Sequence, residues 1–244
     1  MKRLKIFYLF LSLINFNATV TIAQNAKNND LVKYGLKGEV KTMQQVIYSF
    51  CRKVNGAWVA TDTPYYTIKT YTYSKTGMLQ SIEEKRIDNR THRTDITTTR
   101  MLYKNDKLAG SEWYDRDGKK MGSSEITWQT NYSYVDAMED KKNENKIETY
   151  HILDSAYRNK ETNLRKYGKH GIEDIVNTRF KYSEGVFTGE DVTDSMRNAT
   201  MSYKVETLSK DNMGNANEGV MYAIPYKENI PAIITFYTYE YYDK

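Results

Sequence analysis

Alternation, not helical spacing, governs the apolar positions of this chain. Val40, Val46, Tyr48 and Phe50 share one parity. Ile126, Trp128, Tyr132 and Tyr134 share another, with Thr130 between them, and Met201, Tyr203 and Val205 follow the same rule. In the last run Ile233, Tyr237, Tyr239 and Tyr241 fall on one side, and Ile234, Phe236 and Tyr242 on the other. Successive strand side chains point to opposite faces, so such parity predicts β-strands with one apolar and one polar face. Windows with apolar residues at i, i+3, i+4 and i+7 are scarce. The gaps hold Asn55-Gly56, Ser74-Lys75-Thr76-Gly77, Asn105-Asp106, Asp117-Gly118 and Glu184-Gly185. These residues tolerate the positive φ of tight hairpin turns. With five to ten residues between turns, the unit is strand, turn, strand.

Two stretches interrupt the rhythm. Residues 136–146 read as a polar loop. Residues 154–171 place Tyr157, Leu164 and Tyr167 at spacings of seven and three, which suits a short helix or an irregular segment.

The first residues form a separate unit. Lys2, Arg3 and Lys5 precede an apolar run from Ile6 to Ile14, and Thr21-Ile22-Ala23 offers a cleavage site before Gln24. Residues 1–23 are therefore predicted to be an export signal, the run being too short to span a bilayer. No Cys sits at the end of the apolar run, so a lipoprotein anchor is not expected. The domain is expected to cover residues 24–244. The formal net charge of +5 includes those three basic residues and no acid of the leader, so basicity is partly an address label. The remaining charges are interspersed, which argues against a nucleic-acid face.

Composition adds that tyrosine far outnumbers phenylalanine, 22 to 7, so the cores should be thin sheet faces with wet hydroxyls. The lone Cys51 excludes an intrachain disulfide and suits a bacterial envelope.

The strand-turn units YTYSKTGMLQSI, YKNDKLAGSEWYDRDGKK and KYSEGVF resemble the YD repeats of RHS proteins and the related MORN-type hairpin repeats. The opening Leu36-Lys37-Gly38-Glu39-Val40-Lys41 is similar to that of small exported proteins of Bacteroidota. Asp211-Asn212-Met213-Gly214-Asn215 and the pair Tyr241-Tyr242 are similar to their closing pattern. The resemblance implies an all-β fold of consecutive hairpins in an extended, twisted antiparallel sheet, open rather than a closed shell.

Motifs for chemistry are absent. His92, His151 and His170 lack metal-ligand spacing, and Asp115-x-Asp117-Gly118 fails as a calcium loop because its twelfth position is Ile126. There is no G-x-S-x-G, and Ser195 lacks flanking glycines; no phosphate-binding glycine loop occurs. The pairs Glu83-Glu84 and Glu173-Asp174 would point to opposite strand faces. No catalytic residue, cofactor or metal is expected. The candidate ligand-stacking face is Trp128, Tyr132 and Tyr134, whose rings on one strand face would suit sugars or simply hold a thin sheet together. The expected function is a non-catalytic binding or scaffold module of the envelope, with cell-wall glycan or another envelope protein as partner. The alternatives are a glycan hydrolase built from distant carboxylates and an RHS-toxin-associated protein.

Overall fold

The computed structural model describes residues 29–60, 65–140, 145–183, 186–224 and 232–243. The predicted export signal and the Glu184-Gly185 turn lie outside them. One helical turn, α1 (Asp30–Lys33), precedes fifteen strands: β1 (Val40–Val54), β2 (Ala57–Ala60), β3 (Tyr65–Tyr73), β4 (Leu79–Asp88), β5 (Arg93–Lys104), β6 (Lys107–Asp115), β7 (Lys120–Thr130), β8 (Ser133–Asp140), β9 (Asn145–Leu153), β10 (Asn159–Gly168), β11 (Gly171–Ser183), β12 (Val186–Asp194), β13 (Ala199–Lys210), β14 (Ala216–Ile224) and β15 (Ala232–Tyr241).

From β3 to β15 each strand pairs antiparallel with the next. The expected all-β character and hairpin order are present, but the sheet is not open. β1 lies between β3 and β15, in register from Val40 opposite Tyr241 to Cys51 opposite Ala232. This closes fourteen strands into an antiparallel barrel, with β2 a short extra strand beside the far end of β1. The physical reason is edge pairing. An open sheet would leave β3 or β1 on one side and β15 on the other with unpaired backbone groups, and closure satisfies both.

The parity of β1 is broken twice, near its start and again between Tyr48 and Cys51, which brings Cys51 onto the face of Tyr48. Register slips between Val40 and Thr42, so Val40 falls on the same face as Met43, Gln45 and Ile47, and Val46 and Tyr48 fall on the other. Val40 therefore does not share a face with Val46 and Tyr48 as its spacing suggests. Residues 136–140 are not loop but the end of β8. Residues 154–158 form a tight turn, followed by β10 and then β11, where a helix or irregular segment was expected. No separate sheet segment begins there.

Directly opposed residues in an antiparallel pair share a face, so the register assigns every strand. Met43 faces Tyr71, which faces Ile82, then Thr99, Trp113 and Gly122. This face is the inside. α1 enters the barrel end beneath the β3–β4 turn, where Leu31 and Leu36 pack with Met43, Tyr71 and Tyr73. Tyr34 meets Tyr71 and Tyr73 edge-on at 6.2 and 6.3 Å. The Asp30 carboxylate accepts hydrogen bonds from the Leu79 N–H at 2.8 Å and the Tyr103 hydroxyl at 2.6 Å. A second, smaller cluster of Cys51, Val220, Ala232 and Ile234 lies on the outer face, with Tyr48, Trp58, Ala60 and Tyr222 against it.

Candidate functional site in the barrel lumen

The inner wall has two halves. Inner-face residues of β11–β15, β1 and β3, including Val176, Val192, Met221, Ile233, Tyr237, Met43 and Tyr71, are buried against one another. That half is filled core. Inner-face residues of β5–β9 are different: Thr97, Thr99, Trp113, Ile126, Trp128, Tyr134, Asp136, Thr149 and His151 are only half-buried. They point inward and keep some accessible surface, although Ser111 and Ser124 between them are buried.

Three rings form a row around that wall. Trp128 on β7 is directly opposite Tyr134 on β8, with centroids 4.8 Å apart, and Tyr134 stacks on His151 of β9 at 4.4 Å. The Trp128 indole N–H donates to the Leu108 carbonyl at 2.8 Å, and Lys107 Nζ lies 5.2 Å from the ring centroid. Burial pushes the His151 imidazole down to about 4, against an opposing hydrogen bond with Asn159, so the ring is neutral at neutral pH. The predicted stacking set is thus partly assembled. Trp128 and Tyr134 come together, but as partners across a hairpin rather than rungs along one strand. Tyr132 sits on the intervening turn, exposed, against Tyr157 at 5.1 Å.

A second group, not singled out in the sequence, lies one strand further along. Trp113 on β6 is opposite Gly122 on β7, and a Cβ on Gly122 would come within 3.2 Å of the indole. The ring therefore lies close beside β7, where a side chain at 122 would make the indole shift by a few tenths of an ångström. Next to it the inward hydroxyls of Ser111 and Ser124 are 3.0 Å apart, with Asp136 of β8 near Ser124. Asp136 Oδ1 is buried without a hydrogen-bond partner. Burial raises the Asp136 pKa, with Ser124 opposing. The parity of β6 does not single out Trp113, since Leu108 and Tyr114 fall on the other side, and its glycine partner depends on register across the Asp115–Lys119 turn.

The far end of the lumen is charged. Lys69 lies 3.1 Å from Glu84, which also pairs with Arg86. Burial works against the ionised Glu84 carboxyl, but the two cations together hold it below its usual range. On the filled half, Glu190 is buried opposite Phe180 and Tyr203; burial first, and the neighbouring Asp191 second, push it up to about 7. Asp194 bonds the Arg197 guanidinium, which also lies 4.0 Å from Asp174. Among the described residues no group of three or more His, Cys, Asp and Glu side chains could hold a metal ion.

No protein-family model matches the chain, and no curated protein matches it. Among solved structures it is similar to the crystal structure of a porin-like protein from Bacteroides uniformis ATCC 8492. Identity is 11% and the TM-score 0.40, over 84% of this chain and 98% of that one.

Proposed function

We propose that this chain is an exported barrel of the bacterial envelope that stands in water and binds a small ligand in its lumen, without catalysing its conversion. The observation that carries this reading is the polarity of the outer face. Opposed outward residues include Arg100 with Glu112, and the run Gly110, Glu125, Ala137, Glu148 and Arg165 from β6 to β10. Outward pairs continue with Asp191–Lys181, Glu206–Lys204 and Glu240–Lys41. A barrel embedded in lipid carries an apolar band about 25 Å tall there, and an Arg or Lys at the bilayer midplane costs about 2–4 kcal/mol. Here charged pairs recur around the outer face, while tyrosine and tryptophan rings stand on both faces; outward charges at this frequency suit a water-facing barrel. No helix among the described residues is long and apolar enough to cross a membrane, which leaves the strands to decide the matter.

Two measurements test the reading. The protein lacking residues 1–23 should purify without detergent and remain in the aqueous phase of a Triton X-114 separation; partition into the detergent phase contradicts it. In a Cys51→Ala background, Thr99→Cys should react with a small methanethiosulfonate reagent in the folded state. A fully protected thiol would mean that the lumen is sealed.

A further inference from the structure

We propose that the Trp113 indole lying beside Gly122, together with the Ser111–Ser124–Asp136 group, forms a subsite for a pyranose sugar inside the barrel. This deepens the luminal-ligand reading and rests on it.

Four observations converge. First, the indole lies beside Gly122, where a Cβ would come within 3.2 Å of it. It belongs to the half of the inner wall whose residues keep accessible surface. Among the described residues no other ring and no cation is stacked on it, in contrast to Trp128, Tyr134 and His151, whose faces serve one another and Lys107. A flat aromatic face that nothing internal uses is a platform for the C–H face of a sugar ring.

Second, hydroxyls lie beside this platform. Thr99 is opposite Trp113, and Ser111 shares its face and is paired with Ser124. Each hydroxyl both donates and accepts, which suits a ligand whose own groups do the same.

Third, the polar group is incompletely satisfied. Ser111 and Ser124 are bonded to each other, and Asp136 near Ser124 has its Oδ1 buried without a hydrogen-bond partner. A buried acceptor without a donor costs about 1–3 kcal/mol, more if charged. A small turn of the carboxyl group would present that oxygen to a ligand hydroxyl.

Fourth, the nearby strong charges are already balanced, Glu84 being held by Lys69 and Arg86. The subsite offers one flat ring, several hydroxyls and one carboxyl group. That set matches a neutral polyhydroxylated ring better than an organic cation, which would be served by rings with further open faces.

The test is saturation-transfer NMR on the processed protein. The probes are the methyl pyranosides of glucose, galactose, mannose and N-acetylglucosamine at millimolar concentration, with choline as the cationic control. At least one glycoside should receive saturation, strongest on the protons of one ring face. Trp113→Leu should abolish the transfer, and Asp136→Asn, which preserves shape, should weaken affinity about three- to tenfold, as expected for losing one hydrogen bond to the carboxyl group. Gly122→Val should act like Trp113→Leu by displacing the indole. If Gly122→Val fails to fold, the other two variants still decide. Silence from all four glycosides, transfer that persists in Trp113→Leu, or transfer to choline alone would overturn the proposal. The wider luminal reading fails separately, through a Thr99→Cys thiol that cannot be labelled.

Discussion

Asn215, in the turn between β13 and β14, grips both backbone polar groups of Lys37, the residue leading into β1. Its side-chain oxygen accepts the Lys37 N–H at 2.7 Å, and its amide donates to the Lys37 carbonyl at 3.0 Å and to the Tyr241 hydroxyl at 2.8 Å. One buried amide thus ties the N-terminal entry, a distant hairpin and the last strand together where the barrel closes. Replacing it leaves buried backbone groups unpaired. Asn215→Ala is therefore expected to cost about 2–3 kcal/mol in urea denaturation. Asn215→Asp, which keeps the acceptor and loses the donor, should fall between the two.

Cys51 marks the other end of the same seam, buried on the outer face between β15 and β2. Burial pushes its thiol up to about 12, so at pH 8 it is protonated and shielded. Iodoacetamide should leave it unmodified in the folded protein and modify it fully in urea. Rapid labelling of the folded protein would mean that this end of the seam is frayed.

Two buried groups give opposing pH dependences. Glu190, raised from 4.5 to about 7 by burial, contributes stability that is complete below about pH 4.5 and lost as pH rises through 7. His151, lowered from 6.5 to about 4 by burial, contributes stability that is present above pH 6.5 and lost as pH falls through 4. Each amounts to on the order of 3 kcal/mol from the size of its shift. Between about pH 4.5 and 6.5 the two slopes cancel in the wild type. Glu190→Gln should unmask the His151 slope. It should also be more stable than wild type at pH 8 and lose that advantage by pH 4.5. A difference between the two proteins that does not change with pH would contradict this assignment.

The strands and most turns could be read from the sequence because their physics is local. One turn shows both the rule and its limit. Ser74–Met78, Asp115–Lys119, Asp154–Arg158 and Asp211–Asn215 make the same five-residue turn, in which the first residue bonds the backbone of the fourth and fifth. The fourth residue has positive φ in every case: Gly77, Gly118, Tyr157 and Gly214 at 83°, 77°, 60° and 85°. Three were legible from their glycine. The other was not, because Tyr157 occupies the glycine slot, and its spacing to Leu164 and Tyr167 imitated a helix. Residues 136–140 were hidden for a different reason. Outward Glu139 and inward Asp136 are both polar, so the strand carries no apolar parity. Closure was invisible, since the pairing of β1 with β15 joins residues two hundred positions apart without a local signal. The same holds for the lumen. Trp128 and Tyr134 could be suspected, but their meeting across a turn, and that of Trp113 with Gly122, follow only from register.

The most direct test of the account joins the two strands that an open sheet would hold furthest apart. Gln44 and Thr238 are directly opposed across the β1–β15 seam and lie on the outer face. In a Cys51→Ala background, the pair Gln44→Cys and Thr238→Cys should form an intrachain disulfide on mild oxidation in detergent-free buffer, in nearly every molecule, with the fold intact. In an open sheet of fourteen strands those positions would stand about 60 Å apart at ordinary strand spacing. Two free thiols persisting under oxidation would contradict the closed barrel, and with it the lumen on which the proposed function depends.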